Sequence, residues 1–295
     1  MAENKLKWQS KLVLLIVLPA AAASVVLRTP WWAENVPAVA ILTVGLSAVL
    51  ALIVVQLRSA TPGAAFTGAA ITAWLMYSTT FLPYRPWETA LTPVLALFML
   101  THISTRLGRE RKRQLGLAER RQGRSAAQVA ANLGVAAFVF DGIVRSWLAD
   151  SRGTLPLAGW QVSAVGLAAL AEAAADTVSS EVGQVLGGRP RMITTLRQVE
   201  SGVDGGITLI GTLAGVMAAA IVALLGALVL SVGFMPSSKW LVFRIACGGG
   251  VFGLFFDSLL GATLEKRGWL NNDAVNFLST ASAAGFAAVV LALMR

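Results

Sequence analysis

An all-α integral membrane protein, a polytopic bundle of about nine transmembrane helices with its N-terminus in the cytosol, is the fold class that this sequence predicts. Three observations predict it. Of 295 residues, 56% are hydrophobic and 13% charged, with a mean hydropathy of +0.70, whereas a soluble domain carries about 25% charged residues. The apolar residues gather into nine runs, most of them near the roughly 20 residues that cross about 30 Å of hydrocarbon. Lys and Arg fall unevenly on alternate loops, the bias that orients polytopic proteins.

The runs lie at 11–27, 36–57, 62–82, 87–105, 126–148, 155–178, 206–233, 240–263 and 274–294. The first is short, and a count of eight follows if it does not span. It leads into Arg28-Thr-Pro-Trp31-Trp32 rather than a small-residue cleavage site, so it reads as a retained helix and not a signal peptide. The first two runs are nearly free of polar residues, and Trp8, Trp31 and Trp32 sit where interfacial aromatics belong. Thr61-Pro62-Gly63 opens the third run, and His102, the single histidine, closes the fourth. A structural, hydrogen-bonded role is expected for His102, because zinc needs more than one such ligand. Cys247 is the single cysteine, which excludes an intrachain disulfide and a cysteine-based metal cluster.

The segment 106–125 is the most basic of the chain and divides an N-terminal four-helix part, 1–105, from a five-helix part, 126–295, within one membrane domain. With the N-terminus in the cytosol, seventeen of the 24 Lys and Arg residues fall on that side, as the positive-inside rule requires. The net charge of +9 is mostly this bias together with attraction to anionic lipid headgroups. No nucleic-acid partner is expected.

The fifth run opens at Ser125, a good N-cap, with Gln128 and Asn132 four residues apart on one helix face. Asp141 and Arg145, also four apart, are expected to pair with each other. The sixth run carries Glu172 and Asp176, with Glu181 just past its end. A polar loop follows, holding Arg189, Arg191, Thr194, Thr195, Arg197 and the stretch from Gly202 to Gly206. Thr208 and Thr212 stand at the start of the seventh run. The eighth holds Gly248-Gly249-Gly250 and Gly253, suited to close helix packing, and then Asp257, Gly261 and Glu265 on one face. The ninth opens with Asn271-Asn272, and Asn276 shares a face with Asn272.

On the expected topology, all of these sets fall at the cytosolic side. Intramembrane acids cost about 2.5–3.5 kcal/mol on insertion scales and therefore mark cavities or partners. The carboxylates are expected at helix C-termini, which favour cations, and the amide, Thr and Gly motifs at N-termini, which favour anions. A divalent ion beside a polyphosphate fits that sorting, since Mg²⁺ uses one or two carboxylates together with substrate phosphates.

The blocks Arg124 to Gly134, Asp176 to Gly183, Pro190 to Thr195, Gly205 to Thr212, Asp257 to Thr263 and Asn272 to Asn276, in this order, resemble the membrane family of domain of unknown function ninety-two. That family includes animal transmembrane protein nineteen and the plant phytyl-phosphate kinase. The resemblance covers roughly 58–295, and the chain departs from the usual pattern at Glu172 and Asp204. It implies Mg²⁺-dependent transfer of a phosphoryl group from a nucleoside triphosphate, CTP in the first place, to an isoprenoid monophosphate, giving the prenyl diphosphate. The site residues that go with it are Asp176, Glu181 and Asp257 on Mg²⁺, and Arg124, Arg189, Arg191 and Arg197 on phosphate oxygens. Thr194, Thr195, Thr212 and the amides of Gly205 and Gly206 would cradle phosphate, while Gln128, Asn132, Asn272 and Asn276 would orient substrate. The prenyl tail would stay in the bilayer between helices. A transporter or flippase of an anionic lipid or phosphorylated solute is the rival class. It calls for midplane sites and inverted repeats, and the sequence offers neither.

Overall fold

The computed structural model describes residues 6–114, 116, 123–142, 146, 159–230 and 236–294. Each of the nine apolar runs contains a helix among the described residues: α1 Lys7–Asn35, α2 Pro37–Gln56, α3 Pro62–Ser78, α4 Leu91–Arg106, α6 Ala126–Phe140, α7 Trp160–Leu186, α8 Leu209–Leu230, α9 Pro236–Leu260 and α10 Asn272–Leu293. A short basic helix, α5 Arg109–Gln114, follows α4, and a π-turn over Gly261–Glu265 extends α9. Two-residue strands, β1 Arg191–Met192 and β2 Gly206–Ile207, pair antiparallel. Among the described residues, six helices are long and apolar enough to cross a membrane: α1, α2, α7, α8, α9 with its π-turn, and α10. The protein is an integral, multi-pass membrane protein.

Helix α7 is the hub, packed by α4, α6, α8, α9 and α10. Of its most apolar stretch 83% is buried, against 22% in α1 and α2, which leaves those two helices facing hydrocarbon. Its Ala-rich surface lets neighbours approach closely, and glycines on α9 complete the fit. A Cβ at Gly249 would stand 2.8 Å from Ala168 Cβ, and one at Gly253 would stand 2.4 Å from Glu172 Cγ.

Two helices differ from their sequence expectations. The first runs through Pro19 and Pro30 to Asn35 instead of stopping at 27. Arg28, just past the expected end, lies inside the helix and donates to Ser78 Oγ at 2.8 Å and to Asp141 Oδ2 at 2.6 Å. Asp141 also accepts from Trp74 Nε1 at 2.6 Å. The acid expected to pair with Arg145 therefore ties α1, α3 and α6 together through Arg28, while Arg145 itself lies outside the described residues. The sixth run continues as α7 to Leu186, because Val178, Val182 and Val185 sustain its apolar face. Glu181 is consequently inside the helix, and Asp176 lies ten residues, about 15 Å, short of its end.

Candidate functional site

The motif-bearing helix ends meet at one side of the bundle. The C-terminal half of α7, the start of α8, the end of α9 and the start of α10 surround a cavity of about 260 Å³, roofed by the loop from Ser201 to Thr208. Local chemistry builds each wall. Asn271 caps α10 by accepting from the Ala274 amide at 2.9 Å, which sets Asn272 and Asn276 over the cavity. Thr208 accepts the Gly211 amide at 3.1 Å where α8 begins. The loop is tied down by the strand pair and by the Ile193 amide bonded to the Gly205 carbonyl at 3.0 Å. Gly205 has φ +77°, and a Cβ there would lie 2.5 Å from the Ala262 nitrogen. A residue with a side chain fits neither the conformation nor the space.

Three carboxyls, Glu172 buried and Asp176 and Asp257 half-buried, define the electrostatics. Asp176 and Asp257 line the cavity within hydrogen-bonding reach of each other. Glu172, 1% exposed, lies behind them against Ser279 and within coulombic reach of both. Oxygens Asp257 Oδ1, Glu172 Oε1 and Gln184 Oε1 are buried with no hydrogen-bond partner, and unpartnered buried acceptors of this kind call for a donor or a cation. Glu265 and Asp204 add two carboxyls to the wall. Partial burial pushes the Asp204 carboxyl above the usual carboxylate range, while Lys266 pulls it the other way.

Among the described residues, no three Asp, Glu, His or Cys side chains form a ready-made metal cage. Magnesium needs none, since one or two carboxylates beside substrate phosphates suffice. Asp176 and Asp257, with the orphaned Oδ1, fit that mode. Glu181 does not: it pairs with the buried ammonium of Lys112 and accepts from Thr105 Oγ1 at 3.1 Å, and it is absent from the cavity wall.

The other expected site residues divide in the same way. Gly205, Gly206, Asn272 and Asn276 line the cavity. The Gly206 amide, however, donates to the Val203 carbonyl at 3.0 Å to close a turn, so it is committed within the loop. Asn276 Nδ2 donates to Asn132 Oδ1 at 3.2 Å. Asn132 lines a second, larger cavity beside the first, as does Arg124, which lies within coulombic reach of Asp176. Gln128 acts locally: its Oε1 accepts the Ser125 amide at 2.8 Å in a capping box that starts α6. Arg189, Arg191, Thr194, Thr195 and Arg197 are exposed on the loop and line neither cavity. Arg191 donates to the Leu196 carbonyl at 2.9 Å, so this cluster shapes its own turn. Thr212 is half-buried on α8 away from both walls.

Glu172 and Glu265, expected on this side but given no role, belong with the site, as do Gln184, Ser179 and Ser180, which were not expected there. Glu172, Ser180 and Gln184 carried a signal, because they stand at four-residue steps from Asp176 along one face of α7.

The chain matches the family model described as Integral membrane protein DUF92 over residues 45–284. It is 35% identical over 190 residues to an uncharacterized membrane protein of Methanocaldococcus jannaschii, covering 63% of this chain and 70% of that one. It is 32% identical to an uncharacterized membrane protein of Synechocystis over 63% of this chain and 68% of the relative. Protein VTE6, chloroplastic, of Arabidopsis thaliana is 28% identical over 63% of this chain and 54% of its own length. No solved structure matches. With the family model spanning most of its length, the chain belongs to the Integral membrane protein DUF92 family.

Proposed function

We propose that the protein is a membrane-embedded lipid-phosphate kinase that transfers the terminal phosphoryl group of a nucleoside triphosphate, CTP in the first place, to an isoprenoid monophosphate. The observation that carries this reading is the half-buried Asp176–Asp257 pair, with its buried, orphaned oxygen, facing a small cavity walled by asparagine amides and glycine backbone. The family resemblance points to the same reaction class.

Phosphoryl transfer asks for positioning and charge neutralisation more than covalent help. An anionic oxygen of the monophosphate attacks the terminal phosphorus, the new P–O bond forms, and the bond to the nucleoside diphosphate breaks. No general base is required, because the attacking oxygen already carries its charge. Mg²⁺, when bound by Asp176 and Asp257, would neutralise charge on the phosphate oxygens. Asn272 and Asn276 would orient the donor, and Asn132 would hold the Asn276 amide in place. Arg124 would offset charge on the acceptor side with a guanidinium fork. The exposed Arg189, Arg191 and Arg197 would draw the anionic nucleotide toward the roof loop.

A second reading, transport of an anionic lipid, draws on the depth of Glu172 and Asp176 in α7, near the level where transport sites lie. One assay separates the two. Purified protein receives labelled CTP or ATP, Mg²⁺ and a panel of prenyl monophosphates, and prenyl diphosphate is scored. Metal-dependent product, reduced at least about 100-fold in Asp176→Asn, is expected, as for loss of a group that neutralises transition-state charge. Absence of product with every pair from folded protein overturns the kinase reading in favour of transport.

A further inference from the structure

A second cavity, of about 730 Å³, lies beside the acidic one and is lined by α2, α3, α4, α5 and α6. Its size suits a ligand of several hundred daltons. Its two ends differ in chemistry. The end deep in the bundle is closed by Leu50, Thr72, Val94, Leu97 and Leu133. The end at the loops carries Arg58, Arg106, Arg109 and Arg124, together with Lys112 and Arg113, which are paired with Glu181 and Glu110 outside the lining, and no Asp or Glu lines any part of the cavity. From Val94 to Arg106 the wall runs twelve residues, about 18 Å of helix. An apolar slot that ends in a ring of cations has the polarity of a single lipid with an anionic head.

The cationic rim is built and held. The Arg124 amide donates to the Ser59 carbonyl at 3.0 Å, and the Thr61 amide donates to the Arg124 carbonyl at 3.0 Å. Gly123, at φ +75°, permits that approach, since a Cβ would sit 2.4 Å from the Ser59 carbonyl carbon. Arg106 donates to the Leu57 carbonyl at 2.7 Å, and Ser59 Oγ bonds His102 Nδ1 at 2.6 Å. Arg58 itself is fixed at φ +52°, a conformation that costs a non-glycine residue about 1–3 kcal/mol and persists only where surroundings impose it.

We propose that this cavity is the binding site of a single-chain lipid phosphate, with the tail between α2, α3, α4 and α6 and the phosphate at Arg58, Arg109 and Arg124. The proposal deepens the proposed function by placing the acceptor. Arg124 and the Asn132–Asn276 amide pair join this cavity to the acidic one, so the phosphate would sit at the shared wall where it can meet a donor.

The test measures capture, which needs no turnover. The detergent-purified full chain is irradiated with a benzophenone-bearing farnesyl monophosphate, and the labelled peptides are mapped. Label is expected on the segments 50–72, 94–102 and 129–133, competed by farnesyl monophosphate but not by farnesol or inorganic phosphate. Replacing both rim arginines, Arg58→Gln with Arg109→Gln, should lower capture about tenfold or more, as loss of two cations near an anionic head implies. Ala69→Leu, which narrows the apolar wall, should lower it while leaving both arginines in place, and thermal melts establish that each variant is folded. Label elsewhere, competition by farnesol equal to that by the phosphate, or displacement by inorganic phosphate alone overturns the proposal. Capture here without turnover leaves this site standing and removes the kinase reading; turnover without capture here does the reverse.

Discussion

Asp176 and Glu181 stand five residues apart on α7, about 500° of helix rotation and therefore some 140° round its circumference. That angle separates their roles. Asp176 faces the acidic cavity, while Glu181 faces α5 and neutralises Lys112, whose side chain is 2% exposed. Sequence reasoning grouped them because both are acids in one polar block, and no spacing rule could have found Lys112 inside a run of solvent-type charges. Glu181→Gln should leave the buried ammonium without its counter-ion and destabilise the protein by about 3 kcal/mol, the cost of breaking a buried pair. Lys112→Met combined with Glu181→Leu should recover most of that loss. Thermal melts of the two variants check both statements, and equal melting of Glu181→Gln and the parent would mean that the pair contributes nothing.

At the scale of elements, the start of α10 depends on α1. Gln9 Nε2 donates to the Trp269 carbonyl and its Oε1 accepts the Asn271 amide, each at 2.8 Å. Asn271 Nδ2 in turn reaches the Leu6 carbonyl at 2.8 Å and Ser10 Oγ at 2.9 Å. This lattice fixes the cap at the start of α10, where Asn272 and Asn276 line the cavity, and under the proposed function it gives α1 a positioning role. Gln9→Ala should lower stability by about 1–2 kcal/mol, the scale of lost buried hydrogen bonds, and should raise KM for the nucleotide more than it lowers kcat. Asp141→Asn offers the contrast, because Asp141 joins Arg28 and Trp74 among elements remote from the acidic cavity. It should lower the melting temperature and leave KM unchanged; a KM shift equal to that of Gln9→Ala would remove the distinction.

These elements also mark what the sequence could reveal. The helical character of the apolar runs, the cap at Ser125 and the joint facing of Asp257, Gly261 and Glu265 all follow from local spacing, and the structure has them, although six of its described helices, not nine, are long and apolar enough to span a membrane. The arginines from 189 to 197 were legible as a cluster but not as an exposed one, because exposure depends on how the loop folds over Ala262. The large cavity left no trace in the sequence at all. Its apolar walls come from four of the five lining helices, α2, α3, α4 and α6, whose small and apolar residues look like ordinary packing until their spacing in three dimensions is known.

For the whole molecule, the direction in which the two cavities face decides the donor. Arg58, α5, Arg124 and the roof loop all belong to one side, which the positive-inside rule assigns to the cytosol, where nucleoside triphosphates are made. Arg85, between α3 and α4, belongs to the opposite side. Because Cys247 is the single cysteine, Cys247→Ala gives a background in which one introduced thiol reports one position. In intact cells, Arg85→Cys should react with an impermeant maleimide, and Thr194→Cys, on the exposed loop beside the acidic cavity, should react only after the membrane is opened. The reverse pattern would put the Asp176–Asp257 site on the side without nucleotide. A cytosolic triphosphate could not then be its donor, and the remaining use for a deep acidic cavity beside a lipid-sized one would be movement of an anionic lipid across the membrane.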